Sequence, residues 1–519
     1  MDYPIGIQTF ERIIQEGYVY VDKTALVYNL VRKGGIYFLS RPRRFGKSLL
    51  LSTLKSYYQG KKELFKGLGI EKLEKEWKRY PIFHIDFNGG NFKNPGELEK
   101  KLNFYVSTWE QEYETSSFKE ELSIGDRFYE ILRRAHEQTG QRAVVLVDEY
   151  DKPLLDVLDT KTELEEEHRN ILKGFFSTFK AADEHLQFVF LTGVTKFSQI
   201  SVFSGFNQPK DISMNTDYES LCGITQEELE KYFEESIIRM AKKYEYTKEE
   251  MLGRLKEEYD GYHFGEEMID IYNPFSILNA FDRRSIEPYW SRTGNPEYLL
   301  RLLAKSERRI TDYVGQYYPL QEFIDYKADA ERPLPMIYQS GYLTIKGWDR
   351  ETNSFLLDYP NGEVRKSFLS EVAASYFVRT EGESIGSWIV KMQRSLNKGE
   401  IEETGKFLKS FLAGIPYTLH EKEPERHFQY TLYLIFKLLN GEIVEAEKEQ
   451  SQGGVDCIVE TRNYIYIFEF KLDGSAEEAL KQIEERGYAK EYGADQRKLY
   501  RVGANFSSKT GTIEEWKVV

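Results

Sequence analysis

The chain has 519 residues, 40% of them hydrophobic and 30% charged, with a formal net charge of −14. Single cores stop growing at about 250 to 300 residues, so at least two globular domains are expected, and the composition argues against long disorder. The acidic balance excludes a global field that draws in DNA or anionic membrane, and two distant cysteines, Cys222 and Cys457, exclude a disulfide framework or a cysteine zinc site.

The start, Met1-Asp2-Tyr3-Pro4, lacks a signal-peptide pattern, and no run approaches the ~18 apolar residues that span a bilayer. A soluble, cytoplasmic protein with no membrane partner is expected. From Gly35 to Phe197 short apolar runs alternate with longer amphipathic stretches, which predicts a mostly parallel α/β sheet. The strands are 36–39, 82–87, 143–147 and 188–192, with helices over 49–58, 97–113, 127–137 and 164–182 between them. Ala143-Val144-Val145-Leu146-Val147 is apolar at both parities, as a strand buried on both faces must be.

Gly46-Lys47-Ser48 stands between the first strand and a helix, where a phosphate-binding loop belongs. Backbone N–H groups at the helix start would face the phosphates, Lys47 would reach the β and γ oxygens, and Ser48 would ligate Mg²⁺. Arg41 replaces the first glycine of the G-x-x-x-x-G-K-[ST] pattern, so a basic loop that merely caps a helix stays open as the alternative. Val147-Asp148-Glu149 ends the most apolar strand with two carboxylates; in a P-loop ATPase the first holds the Mg²⁺ shell and the second polarises water, whereas the plain reading makes Asp148 a helix cap. The loop and the acids are expected on successive buried strands. Thr192-Gly193-Val194-Thr195-Lys196 ends a further strand with a hydroxyl and a cation where a γ-phosphate sensor would sit, with a threonine that only caps a turn as the alternative, and Arg41, Arg43 and Arg44 are open between phosphate contacts and pairing with acids.

After Gly223 the pattern turns helical, with helices over 226–243 and 248–258, and reads as a lid or extension to residue 299. Residues 300–418 read as a connector, with a winged-helix-like fold as one option, in which 336–345 is a helix end turning into a strand. From 419 a separate α/β domain is predicted: a helix over 426–439, hairpin strands and a charged helix over 475–485. Alternation in the strand 464–472 places Ile465, Ile467, Glu469 and Lys471 on one face and Tyr464, Tyr466, Phe468 and Phe470 on the other. Asp456, in the preceding strand, lies thirteen positions before Glu469, a spacing that suits a hairpin joining two carboxylates. Two acids with a neighbouring lysine can hold Mg²⁺ and assist phosphodiester hydrolysis; a surface salt-bridge triad is the alternative.

The blocks Ser40-Arg41-Pro42-Arg43-Arg44-Phe45-Gly46-Lys47-Ser48, Val147-Asp148-Glu149-Tyr150-Asp151-Lys152-Pro153, Val202-Phe203-Ser204-Gly205-Phe206-Asn207, Leu221-Cys222-Gly223-Ile224-Thr225, Tyr259-Asp260-Gly261-Tyr262 and Tyr272-Asn273-Pro274-Phe275-Ser276 resemble the AAA-ATPase-like proteins of Bacteroidetes and clostridia. In that family the arginine-rich loop is the normal form. The resemblance implies a P-loop NTPase domain over 1–222, ATP and Mg²⁺ as cofactors, a nucleotide site of Arg43, Arg44, Phe45, Gly46, Lys47, Ser48, Asp148 and Thr192, and Glu149 as its catalytic acid.

The C-terminal arrangement resembles the PD-(D/E)xK nucleases, which implies a restriction-endonuclease-like domain over 419–519. Asp456 matches the first acid, Glu469 and Lys471 the E-x-K pair, and Gln482 with Tyr488 the helix that follows, with Glu425 as a further metal acid. Val455 stands where a proline is usual. Lys481, Lys490, Arg497, Lys498 and Arg501 are open between contacts to a nucleic-acid backbone and an ordinary solvated face. The combined expectation is an ATPase coupled to a Mg²⁺-dependent nuclease acting on DNA or RNA in defence or nucleic-acid processing, with self-association of the chain as an option. The alternative is a nucleotide-gated switch or scaffold whose C-terminal domain binds without cutting.

Overall fold

The computed structural model describes residues 2–115, 122–158, 160–196, 209–293, 297–306, 309–324, 332–377, 385–413, 424–439, 443–450 and 453–519. The chain divides into two compact units, Met1–Arg365 and Lys366–Val519. That division falls inside the segment 300–418 expected as a connector.

The first unit is built on five parallel strands, β1 (Gly35–Ser40), β2 (Ile82–Asp86), β3 (Ala143–Asp148), β4 (Leu186–Gly193) and β5 (Lys210–Asp211), in the order β2-β3-β4-β1-β5. Every residue of β3 is buried, which requires cover on both faces; the helices Lys47–Tyr58, Glu97–Glu112, Ile124–Thr139 and Thr162–Ala181 are the crossovers such a sheet needs. The sheet corrects one expectation. β4 pairs with both β1 and β3 and therefore separates the loop strand from the acidic strand. Parallel neighbours are joined by long crossovers, so succession in sequence does not dictate adjacency in the sheet. All five strands end at one edge, where the carboxyl ends of an open α/β sheet form their crevice.

Beyond the sheet, Thr225 and Thr247 each open a helix, Gln226–Tyr244 and Lys248–Tyr259, with reciprocal capping boxes to Glu228 and Glu250. Their apolar faces bury Leu229, Phe233, Ile237, Met251 and Leu255 against the helix Pro274–Arg283. A short pair, β6 (Ile224–Thr225) and β7 (Ile271–Tyr272), and an antiparallel sheet of β8 (Gln316–Pro319), β9 (Thr344–Asp349) and β10 (Ser354–Asp358) complete this unit.

In the second unit β11 (Ile443–Gln450), β12 (Gly453–Glu460), β13 (Tyr464–Leu472), β14 (Lys498–Ser507) and β15 (Thr512–Val518) lie side by side in chain order. β13 and β14 are parallel and the other neighbours antiparallel. The β13–β14 crossover is the helix Ala476–Glu485, capped by Ser475 and Glu478. Ile465 and Ile467 of β13 pack with Ile458, Ile483 and Tyr488, each buried aliphatic worth roughly 2 kcal/mol. Tyr466, Phe468 and Phe470 line the opposite face and stack on one another.

Candidate functional site

The loop after β1 is shaped by two left-handed residues, Arg44 (φ 72°) and Gly46 (φ 92°), and Gly46 caps the helix that begins at Lys47. Arg41, at the missing glycine, is buried, and its guanidinium is spent on backbone carbonyls, with Asp211 and Glu219 close enough to act on its charge. Its guanidinium donates to the carbonyls of Ser40 (2.9 Å), Ser213 (2.7 Å), Tyr218 (3.2 Å) and Glu219 (3.4 Å), and lies 4.0 Å from the centre of the Phe264 ring. The neighbouring residues are held separately. Gly341 packs so closely on Pro42 that a Cβ there would stand 2.7 Å from its ring, Trp290 Nε1 donates to the Arg43 carbonyl at 3.2 Å, and Arg44 lies over Phe275 at 5.0 Å. Phe45 is buried edge-on against Tyr262 and Phe264, so its ring anchors the loop from below.

Lys47 is 4% exposed, and its ammonium donates to the carbonyls of Arg41 (3.0 Å) and Pro42 (3.3 Å) and pairs with Glu149 at 3.4 Å. Ser48 hydrogen-bonds Asp148, and Thr192 Oγ1 donates to Asp148 Oδ1 at 2.8 Å, so hydroxyls from the loop helix and from β4 meet on the acid that ends β3. Burial raises the Asp148 pKa, the Ser48 and Thr192 bonds and Lys47 oppose this, and Glu149 adds to it. Glu149 itself is left-handed (φ 53°), a rare state for a residue with a Cβ. Arg43, Arg44, Gly46, Lys47, Ser48 and Glu149 line a cavity of about 930 Å³. Asp148 and Thr192 lie one layer in, behind Ser48.

In the second unit Cys457 pairs with Phe468, which sets Asp456 opposite Glu469 on adjacent antiparallel strands. Asp456 Oδ2 accepts the Phe470 N–H at 2.7 Å. Lys471 Nζ approaches Glu469 Oε1 at 3.3 Å and donates to Gln482 Oε1, while Gln482 Nε2 donates back to Glu469. Burial first and Asp456 second push Glu469 up to about 7, with Lys471 pulling it down. Gly503 allows this closeness: a Cβ there would stand 2.2 Å from the Ala476 carbonyl, so glycine lets the helix bearing Gln482 lie flat on β14. Glu425 falls on the helix Pro424–Leu438, and its side chain lies outside the described residues. Of the flanking cations, Arg497 is tied to Glu460 and Asp495, and Lys498 lies 4.5 Å over Tyr500.

Both donor sets suit magnesium. Mg²⁺ takes one or two protein oxygens and keeps several waters, so Ser48 with Asp148, or Asp456 with Glu469, is a sufficient set. Glu469 Oε2 is buried without a partner among the described residues, an acceptor that a bound cation would satisfy. Among the described residues no three acid, histidine or cysteine side chains cluster as a metal cage, and no helix is long and apolar enough to cross a membrane.

A family model described as a predicted AAA-ATPase matches residues 4–203, and one for the PD-(D/E)XK nuclease superfamily matches residues 423–516. A protein of Azotobacter chroococcum mcd 1, described as an uncharacterized protein in the vnfD 5′ region, is 34% identical over 520 residues, covering 98% of this chain and 97% of that one. The chain belongs to the predicted AAA-ATPase family. It also carries a PD-(D/E)XK nuclease-superfamily domain at its C-terminal end. Among solved structures, the ORC2 protein of Aeropyrum pernix, determined as ADPNP–ADP complexes, matches at 12% identity and a TM-score of 0.26, covering 68% of this chain and 92% of that one.

Sequence reasoning passed over several residues of this AAA-ATPase family site. Asp151 takes no role from the sequence alone, although a third acid one turn beyond Asp148 is a usable signal. Phe275 and Leu278, from the stretch read as a lid or extension, and Arg301, from the expected connector, line the cavity, and no spacing rule relates them to the loop. Lys196, read as a cation beside the phosphates, pairs with Asp211 at 2.7 Å. The block at 202–207 lies outside the described residues.

Proposed function

We propose that this AAA-ATPase family protein binds and hydrolyses Mg²⁺·ATP at the carboxyl edge of β1, β3 and β4, and that nucleotide state governs Mg²⁺-dependent phosphodiester cleavage by the C-terminal domain. The observation that carries the reading is the meeting of Lys47, Ser48, Asp148, Glu149 and Thr192 beside one cavity. Lys47 would exchange the Arg41 and Pro42 carbonyls for β and γ oxygens, which frees Glu149 to orient water. Ser48 and Asp148 would hold the ion, Thr192 would fix the Asp148 carboxylate, and the N–H groups of Arg43, Arg44, Phe45 and Gly46 would cradle phosphate.

In the C-terminal domain Asp456 and Glu469, with Glu425 as a further acid, would hold the ion. A bound ion would supply activation of water and charge neutralisation at the phosphate. Lys471 would steady that phosphate, and Gln482 keeps Lys471 and Glu469 in place. Defence against foreign nucleic acid or nucleic-acid processing fits this pairing of activities.

The test is a panel of single- and double-stranded DNA and RNA, incubated with the purified full chain, with and without Mg²⁺ and ATP. Cleavage should require Mg²⁺ and disappear in Asp456→Ala and Lys471→Ala. Cleavage unchanged by those substitutions, or seen with no substrate, defeats the nuclease half. ATP-dependent binding of nucleic acid without cleavage would instead support a nucleotide-gated switch.

A further inference from the structure

The turn that follows β4, Gly193 to Lys196, is bolted from two sides. From the loop strand, Ser40 Oγ donates to the Val194 carbonyl at 2.6 Å and the Arg41 N–H to the Gly193 carbonyl at 3.3 Å. From the acidic strand, Tyr150 OH donates to the Thr195 carbonyl at 2.9 Å and the Tyr150 N–H to the Thr192 carbonyl at 3.0 Å. Asp151 adds the strongest hold. Its Oδ2 accepts from Val194 N (3.0 Å), Thr195 N (2.7 Å) and Thr195 Oγ1 (2.7 Å).

Three features separate Asp151 from a routine buried polar group. It is 0% exposed, yet its Oδ1 accepts no hydrogen bond among the described residues. It stands at the N-cap of the short helix Lys152–Leu155 without making a side-chain cap bond, so helix capping does not account for it. Gly193 leaves it no slack, since a Cβ there would stand 2.7 Å from Asp151 Oδ1 and from the Tyr150 ring. Burying a carboxylate costs several kcal/mol unless paired. What Asp151 achieves in return is registration. The turn it grips carries Thr192 at its start, Thr192 donates to Asp148, and Asp148 bonds Ser48.

We propose that Asp151 is a positioning residue for ATP hydrolysis: it locks the end of β4 to the acidic strand, so that Thr192, Asp148 and Ser48 hold one line at the phosphate end of the nucleotide. This rests on reading the β1/β3/β4 edge as an ATP-hydrolysing site. Asp151 touches no reacting atom and works through the turn.

The test compares wild type, Asp151→Ala, Asp151→Asn and Thr195→Val in the full chain, reading kcat and KM for Mg²⁺·ATP, ADP affinity without Mg²⁺, and melting temperature. Alanine leaves three buried donors without an acceptor, and kcat should fall by about tenfold or more while KM and ADP affinity stay within about threefold. Asparagine keeps an oxygen for the same three donors and should recover most of the rate. Thr195→Val removes one of the three bonds and should fall between, which decides the matter if the alanine variant does not fold.

A wild-type kcat in Asp151→Ala, a loss of rate and ADP affinity in step, or an asparagine variant no better than alanine overturns the proposal. A wild-type chain that binds Mg²⁺·ATP without turning it over overturns it together with hydrolysis. Nucleotide affinity equal in wild type and Lys47→Ala sinks the underlying site reading instead.

Discussion

The two sites are assembled in opposite ways. The first gathers Lys47 and Ser48 from the loop after β1, Asp148 and Glu149 from the end of β3 and Thr192 from β4, and its loop is held by residues as distant as Trp290 and Gly341. The second is one hairpin, β12 with β13, and the helix that follows it. Their charges differ as well. Lys47 is already matched to Glu149 and Asp148 to two hydroxyls, whereas Glu469 keeps a buried oxygen without a partner among the described residues and a pKa of about 7. On the proposed reading, the contrast means that the first site would exchange internal partners for ligand, while the second would be completed by a cation.

Lys47→Ala breaks the first arrangement most severely. Truncating one member of a buried charge contact costs about 2 to 5 kcal/mol, so the Kd for Mg²⁺·ATP should rise on the order of 100-fold in a fluorescence titration. Affinity kept near wild type would show that the phosphates are not held there.

Next comes Arg41→Gly, which restores the generic glycine yet removes donors from four carbonyls. Buried hydrogen bonds to a charged donor contribute about 1.5 to 3 kcal/mol each, so a clear fall in melting temperature and weaker, not tighter, ATP binding are expected. Tighter binding would mean that the arginine only substitutes poorly for glycine.

Gly503→Ala tests the second site alone. A Cβ 2.2 Å from the Ala476 carbonyl must lift the helix bearing Gln482, at about 1 to 3 kcal/mol. Nuclease activity should drop while ATP affinity stays unchanged; a drop in both would erase the distinction drawn above.

The smallest effect is a pH dependence. Glu363 accepts the N–H groups of Tyr289 and Trp290, and burial pushes its pKa up to about 7. The folded chain therefore holds this proton between the ordinary glutamate range and pH 7, and stability falls as pH rises through that window. Glu363→Gln keeps the acceptor and removes the titration, so its melting temperature relative to wild type should climb from pH 5 to pH 8 by calorimetry. A difference flat in pH would refute it.

The sequence makes the α/β sheet legible because apolar runs at both parities are seldom anything but doubly covered strands, and β3 is buried throughout. The second site is legible for a related reason: alternation along β13 puts Glu469 and Lys471 on one face, and an adjacent hairpin strand can only bring Asp456 beside them. What stays hidden is long-range. Nothing in local pattern places β4 between β1 and β3, ties Arg41 to Tyr218, or brings Trp290 to Arg43, because these contacts depend on how distant segments close over the sheet. Asp151 shows the intermediate case, visible as an acid but not as a clamp until the turn after β4 is located.

Arg41 also bears on how the molecule can be dissected. The AAA-ATPase match ends at residue 203, whereas the Ser213, Tyr218 and Glu219 carbonyls and the Phe264 ring that receive the guanidinium all lie beyond it. A fragment cut at the end of the match would strand a buried cation with almost nothing to donate to. The smallest autonomous piece of this protein that keeps the loop intact therefore extends past Phe264. Gene fusions, domain swaps or evolutionary shuffling that preserve the motif but sever that stretch should yield an inert loop.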